Sequence, residues 1–432
     1  MEIQPPPMTC PCTRCASRSP QLAVRSLLGV VAGLMGILAG CETGRLADSP
    51  LLRLCDPEPE AIVPGYVLDG PEATIDGNRT DPPLSPPIIF PTLAPGGGIS
   101  LASAYQAPVL TFDSTGTHRM SVGSHGTGPG EWSSTASGGV TWLADTLVVA
   151  ERRPPRIHRF HTDGSLIDTR QVPSGPVTVS FLLAVHEGSG TLVVLPPPMD
   201  RAPERLAHLS LETGLADSLG TFQQRATFRL TFPDGSAAVG LRPMGDHLLI
   251  AVDPSGSGVV LVDRAAPADA EESFWRLRRI DAQGRTVLDR PICHHPVTVS
   301  ERHLRDSIQT WTSAFSTSPS AQGVPEAELE RIVSDALDLP EYWPPVDRVV
   351  AGADGSILLR RETRVDSLAV WESRDVEGEL TGILILHEDR WILAAEGGNA
   401  GDAVWTERRD PNDVPILERS RIMVGEPESP GS

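Results

Sequence analysis

The chain has 432 residues and a net charge of −20, and its 36 basic residues are all arginine. So acidic a surface repels nucleic-acid phosphates and anionic lipid, and without lysine there is no Walker A phosphate clamp, Schiff-base amine or Ser-Lys dyad. Aromatics at 5%, with 40 glycines and 41 prolines, favour many short strands and turns, so helix is expected only locally.

Residues 1–40 read as an export signal. Arg14, Arg18 and Arg25 precede an apolar run from Leu27 to Ala39, shorter than the ~20 residues a bilayer requires. The leader before it is long, so Met8 is an alternative start. The run ends in Leu38-Ala39-Gly40-Cys41, where small residues let the chain lie extended in a peptidase cleft and the cysteine offers a thiol for lipid attachment. These four residues resemble the lipobox of bacterial lipoproteins. The resemblance implies cleavage before Cys41, lipidation of Cys41 and a membrane anchor in the cell envelope; Glu42 leaves inner versus outer membrane open. Cys10, Cys12 and Cys15 fall in the segment to be removed, with no second pair to complete a zinc site, and Ala16 stands where a haem-attachment motif has histidine. In the remaining chain an oxidising envelope permits a bridge between Cys55 and Cys293, with two free thiols as the alternative.

From 41 to 87 the composition turns to Pro, Asp and Glu with few apolar runs, which predicts a tether behind the lipidated cysteine. Strand-like runs begin at Ile88 and recur in fours. The first set covers 88–90, 98–102, 109–112 and 118–122; the second covers 139–143, 145–150, 156–160 and 166–170. Asp-Gly turns and Pro154-Pro155 punctuate them. Gly116, Gly164 and Gly214 mark the turn before each fourth strand at intervals of about 50 residues, the period of a repeat fold. Gly284 comes late, which predicts a stretched fourth set with an extra hairpin and acidic loop within 254–270. Gly378 follows at about twice the interval, and setting 296–341 aside restores it. That insertion predicts two helices, one capped by Ser300 with Leu304, Ile308, Trp311 and Phe315 on one face, the other opened by Pro325 with Leu329, Ile332, Val333 and Leu337. A fifth set follows over 348–386. The sixth has only three strands, ending at Val424, and residues 425–432 form a tail. Because an open ring would leave a sheet edge exposed, a closing strand is expected within 61–69.

Four antiparallel strands in sequence make one propeller blade. The expected fold is therefore all-β, a six-bladed β-propeller over 88–424 with the helical insertion 296–341 between blades four and five. Phe112-Asp113-Ser114-Thr115-Gly116, the run from Gly123 to Trp132 with its Gly-Pro-Gly-Glu-aromatic element, and the 145–160 hairpin resemble propellers of the NHL/TolB-like lineage found in bacterial envelope proteins. The insertion and the stretched fourth set depart from simple members of that lineage.

Chemistry-bearing motifs are sparse. Gly126-Thr127-Gly128-Pro129-Gly130 lacks the lysine and following helix of a phosphate cradle and reads as a turn between blades. His294-His295 face opposite sides of a strand. His158 and His161 read as packing or surface residues, and Trp142, Trp275, Trp371 and Trp405 as packing between blades. No catalytic residue, metal ligand or cofactor site is assigned. Two function classes follow: a membrane-anchored binding or assembly module for a protein or small-molecule ligand, or an envelope hydrolase or lyase working in the central channel. The fold serves both. A mouth with carboxylates converging on a metal favours the second class, and a mixed mouth favours the first.

Overall fold

Three of the turns that the glycine spacing marks, those at Gly116, Gly284 and Gly378, are built the same way. Asp113 Oδ1 accepts the amides of Thr115 and Thr117 at 2.9 and 3.0 Å, and Gly116 closes the turn with φ +80°. Asp281 and Asp375 repeat this with Gly284 and Gly378 at φ +78° and +79°. An aspartate that caps two amides, followed by a residue free to take positive φ, reverses the chain tightly enough for adjacent strands to pair.

The computed structural model describes residues 63–425 apart from short stretches, the longest of which are 173–180, 195–203 and 265–272. Cys41, Cys55, the leader and residues 426–432 lie outside the described residues. Four four-stranded antiparallel meanders are present. Sheet I runs Ile88–Ala94, Gly98–Ser103, Val109–Phe112 and His118–Val122. Sheet II runs Val140–Leu143, Thr146–Arg152, Pro155–Phe160 and Leu166–Gln171. Sheet III is Phe181–His186, Ser189–Val194, Glu204–Ser210 and Ala216–Phe222; sheet IV is Leu249–Val252, Gly258–Asp263, Ser273–Asp281 and Thr286–His294. Sheet V (Val346–Ala351, Ile357–Arg361, Leu368–Arg374, Leu380–His387) and sheet VI (Trp391–Ala395, Ala403–Arg409, Pro415–Val424) belong to one nine-stranded sheet with two strands from the N-terminal side.

The arrangement is propeller-like. The first strand of sheet I lies beside those of II and VI, that of II beside III, and that of V beside IV and VI. The first strands thus face a common axis. Between neighbouring sheets the large side chains interdigitate. Trp142 joins the cluster shared by I and II, Trp275 that of IV and V, Trp371 that of V and VI, and Trp405 that of VI and I. All four are buried, and two also cross the seams by hydrogen bonds, Trp142 Nε1 to Ser100 Oγ at 2.9 Å and Trp405 Nε1 to the Gly97 carbonyl at 3.0 Å.

Three expectations are corrected. Part of the stretch read as tether, residues 63–87, is built into the fold. Gly65–Leu68 pairs parallel with the last strand of V and antiparallel with the C-terminal half of Pro415–Val424. Ala73–Asp76 pairs with that strand's N-terminal half and so occupies the fourth position of VI. Closure is therefore divided between two strands, and the one placed within 61–69 spans V and VI. A short polar segment can do this because Tyr66, Ala73, Ile75 and Leu84 are each buried. The extra hairpin lies at Thr227–Thr231 and Ala237–Leu241, not within 254–270, where Gly258–Asp263 is the second strand of IV. Alternating Phe228 and Leu230, buried, with Gly235 at φ +83° in the turn, account for it. Finally, the first strand of sheet I extends to Ala94, past an irregular pairing where Phe90 takes φ +49°.

Residues 296–341 hold α1 (Glu301–Ser316) and α2 (Glu326–Leu337). Ser300 accepts the His303 amide at 3.4 Å, the weak end of an N-cap bond. The apolar faces of both helices meet the 227–241 hairpin, with Leu329, Val333 and Leu337 on Phe228, Leu230 and Phe232, and Trp311 edge-on to Phe228 at 4.9 Å. Helices this short are marginal alone, so the hairpin and the insertion support one another. None of the helices among the described residues is long and apolar enough to cross a membrane.

Candidate functional site

In a four-stranded meander the second-to-third turn and the connection to the next sheet lie at one end, and the remaining turns at the other. The first strands enclose a channel of about 570 Å³ along their common axis. Its wall is apolar for most of its length, from Ile88, Val140, Ile250, Val350 and Leu393 among others. At the connector end the lining changes character, with Arg348 from the first strand of V, Trp391 opening that of VI, and Glu407 and Arg409 at the end of the second strand of VI.

The guanidinium of Arg348 lies 4.5 Å from the centre of the Trp391 ring, and that of Arg360 lies 3.8 Å from it. Trp391 thus serves two cations at once, a contact worth up to about 2 kcal/mol when desolvated. Arg360 is paired with Asp347 at 3.3 Å. Arg409 is paired with Glu407 at 2.7 Å and with the exposed Asp413 at 3.1 Å. The Arg348 side chain forms no hydrogen bond or ion pair among the described residues; it lies over Trp391 and feels the charges of Asp347, Arg360 and Glu407.

Desolvation strains all three charges nearest the channel. Burial raises the pKa of Asp347 against the pull of Arg360, Arg348 and Arg264, and burial raises that of Glu407 against the pull of Arg409. Burial also weakens the hold of Arg348 on its proton, and the like charge of Arg360 adds to this, opposed by Asp347 and Glu407. Charged groups held at such a cost in a cavity mark a candidate functional site.

The residues singled out from sequence are elsewhere. The 126–130 glycine run is a turn between sheets I and II: Glu131 Oε2 accepts the Gly128 amide at 2.9 Å, and Arg156 donates to the Thr127 and Glu131 carbonyls at 2.8 and 3.0 Å. It seats Trp132, whose Nε1 donates to the Ala107 carbonyl at 2.7 Å. Gly123, at φ +87°, has the Trp132 ring where a Cβ would stand, 1.8 Å away. His158 is buried beside Thr169 and Glu151, and burial together with Arg156 lowers its pKa, so it is neutral at physiological pH. His161 is an exposed turn residue and His294 is buried at the end of sheet IV; His295 lies outside the described residues. Among the described residues no group of three His, Cys, Asp or Glu side chains converges as a metal site. None of the channel lining comes from 296–341. Sequence reasoning missed Arg348, Trp391, Glu407 and Arg409. A signal existed: Asp347-Arg348 interrupts the apolar run Val346–Ala351 of an innermost strand, where uncharged residues are the norm.

No family model matches the chain, and no curated protein matches it. Among solved structures it is similar to a member of the DUF4221 family from Bacteroides vulgatus, at 12% identity over 84% of this chain and 98% of that one, TM-score 0.42. It is also similar to a protein of Bacteroides fragilis described as exported (11% identity, 84% and 96% covered, TM-score 0.41) and to a streptogramin B lyase (10%, 82% and 87%, TM-score 0.32).

Proposed function

We propose that this chain is an exported, lipid-anchored binding module whose sheets I to VI form six blades around a channel that seats a small ligand. One observation carries the reading: a channel of about 570 Å³ with apolar walls and a mouth of mixed charge around a single tryptophan. That volume falls within the ~300–1,000 Å³ of ordinary small-molecule sites, which pair apolar walls with a few polar groups. The mouth sets three carboxylates, Asp347, Glu407 and Asp413, against three guanidinium groups that pair with or lie beside them, a composition that favours binding over metal-assisted hydrolysis.

Trp391 is the reporter for this reading, being the tryptophan that lines the channel. Titration with 3-phenylpropionamide, a ring on a short polar chain, is expected to change tryptophan emission in the wild type and not in Trp391→Phe, while thermal shift shows the amide binding both. The absence of both an emission change and a thermal shift, with the amide and with the matched acid, would remove the channel as a ligand seat.

Anchoring is supported by the apolar run that ends in Leu38-Ala39-Gly40-Cys41. Cys41→Ser is expected to shift the protein from the membrane to the soluble fraction and to remove the lipid increment from its intact mass. A variant that stays membrane-bound would contradict the anchor.

A further inference from the structure

We infer that the channel is selective for small organic carboxylates, and that Arg348 is the group that holds the carboxylate. The inference rests on the channel being the ligand seat and names the class of ligand it takes.

Of the three guanidinium groups at the mouth, two have a carboxylate of their own. Asp347 holds Arg360 and Glu407 holds Arg409. Arg348 has none among the described residues, yet it is half-buried, lines the channel, and lies over the same ring as Arg360. A cation withdrawn from water without a hydrogen-bonded partner is costly, and here a second cation on the same indole adds repulsion. Water in the channel answers this only in part. An anion at this point would repay the desolvation, and five N–H donors in one plane fit the two oxygens of a carboxylate as a fork.

The body of the ligand follows from the walls. Beyond Arg348 the lining turns to Val350, Ile250 and Leu393, which offer no charge to balance a second anionic group. A dicarboxylate would bury its far end among aliphatic side chains. The fitting molecule is therefore a monoacid with an apolar body, its carboxylate on Arg348 and its chain or ring directed along the axis. Glu407 stands near enough to act on Arg348 electrostatically, but its charge is taken up by Arg409 at 2.7 Å. Asp347 pulls on Arg348 in the same way while paired with Arg360, and neither carboxylate forms an ion pair or hydrogen bond with the Arg348 guanidinium among the described residues.

The test compares 3-phenylpropionate with 3-phenylpropionamide at constant ionic strength, by thermal shift and by Trp391 emission, on wild type, Arg348→Lys and Arg348→Met. Wild type is expected to bind the acid at least tenfold more tightly than the amide. Arg348→Lys keeps the charge but loses the fork and should weaken the acid about tenfold. Arg348→Met should bind both alike. Equal binding of acid and amide by wild type would overturn the carboxylate assignment while leaving the channel as a ligand seat. Preference for the acid that survives in Arg348→Met, with the variant melting as wild type, would overturn the role of Arg348. Absence of any response to either compound would remove the seat and the inference together.

Discussion

Removal of residues 63–76 is expected to abolish the cooperative thermal transition and leave an aggregation-prone β-rich chain. Pro415–Val424 would lose its partner along both halves, since Ala73–Asp76 covers Ile416 to Arg419 and Gly65–Leu68 covers Ile422 to Val424. Ala403–Arg409 stays paired on its other side, but a ten-residue strand opened along the whole of one flank is the kind of edge that folded sheets avoid. Packing is lost as well. Tyr66 is 5% exposed and lies in the cluster shared by V and VI, with its ring where a side chain on Gly382 would stand; Ile75 is 3% exposed, in the cluster shared by VI and I. Emptying a single site of this size costs about 2–5 kcal/mol, against a whole-domain stability of roughly 5–15 kcal/mol. Glu72 adds an ionic clasp to Arg419 and Arg421, partly exposed and worth less than ~1 kcal/mol for each pair. Graded variants separate these contributions. Ile75→Asp should lose most of the stability and Glu72→Ala little, read by circular dichroism melting. A truncated protein that melts at the wild-type temperature would mean that the ring does not depend on this segment.

Glu372→Gln is expected to cost about 3–5 kcal/mol at neutral pH, the range for stripping one partner from a buried ion pair. Glu372 is 1% exposed and holds two arginines: Arg361 at 3.0 Å through Oε1, and Arg374 at 3.0 and 2.8 Å through Oε2. Arg374 is wholly buried and also donates to the Gly378 carbonyl at 2.8 Å, so the carboxylate ties a strand to its own turn. Burial alone would push the pKa of Glu372 up, but Arg361 and Arg374 outweigh it and hold the group below the ordinary glutamate value of 4.5. The sign follows from linkage. A carboxylate with a depressed folded-state pKa contributes stability that is complete above the unfolded value and is lost as pH falls through the folded one. The difference between wild type and Glu372→Gln should therefore be constant near neutrality and shrink below about pH 4.5. Denaturant melts at a series of pH values test this, and a difference that is flat into the acid range would show that Glu372 is not ionised in the fold.

What could be read from the sequence was local. Asp113, Asp281 and Asp375 with their glycines are turn chemistry contained in four or five residues, and Ser300 and Pro325 are helix starts of the same kind. The packing role of Trp142 and Trp405 followed from their place on strand-like runs. What escaped depends on closure in space. A closing strand within 61–69 is expected because an open ring needs one, and Gly65–Leu68 fills that place; Ala73–Asp76 is too short to announce itself and becomes a strand because Pro415–Val424 offers it an edge. The hairpin at 227–241 was passed over although Phe228 and Leu230 alternate with polar residues, since its apolar face is buried by helices from a later insertion. Arg348, Trp391 and Glu407 come from three strands of two sheets and meet because those sheets are neighbours in the ring. No spacing in the chain records that meeting, and only the charge of Asp347-Arg348 inside an innermost strand hinted at it.

The clasp between the two ends of the ring also sets an order of events. Glu72 and Arg419 lie 347 residues apart in the chain, so the segment that completes the last sheet is synthesised first and meets its partner only when almost everything else exists. Until then sheet VI has an open flank and the first sheet has no neighbour on one side. Contacts of such long range are slow to form because the loop must close before they reward it, and the unclosed chain exposes apolar seams in the meantime. The ring is thus a kinetic commitment as well as a shape: folding becomes final at its last step, when the C-terminal strand arrives.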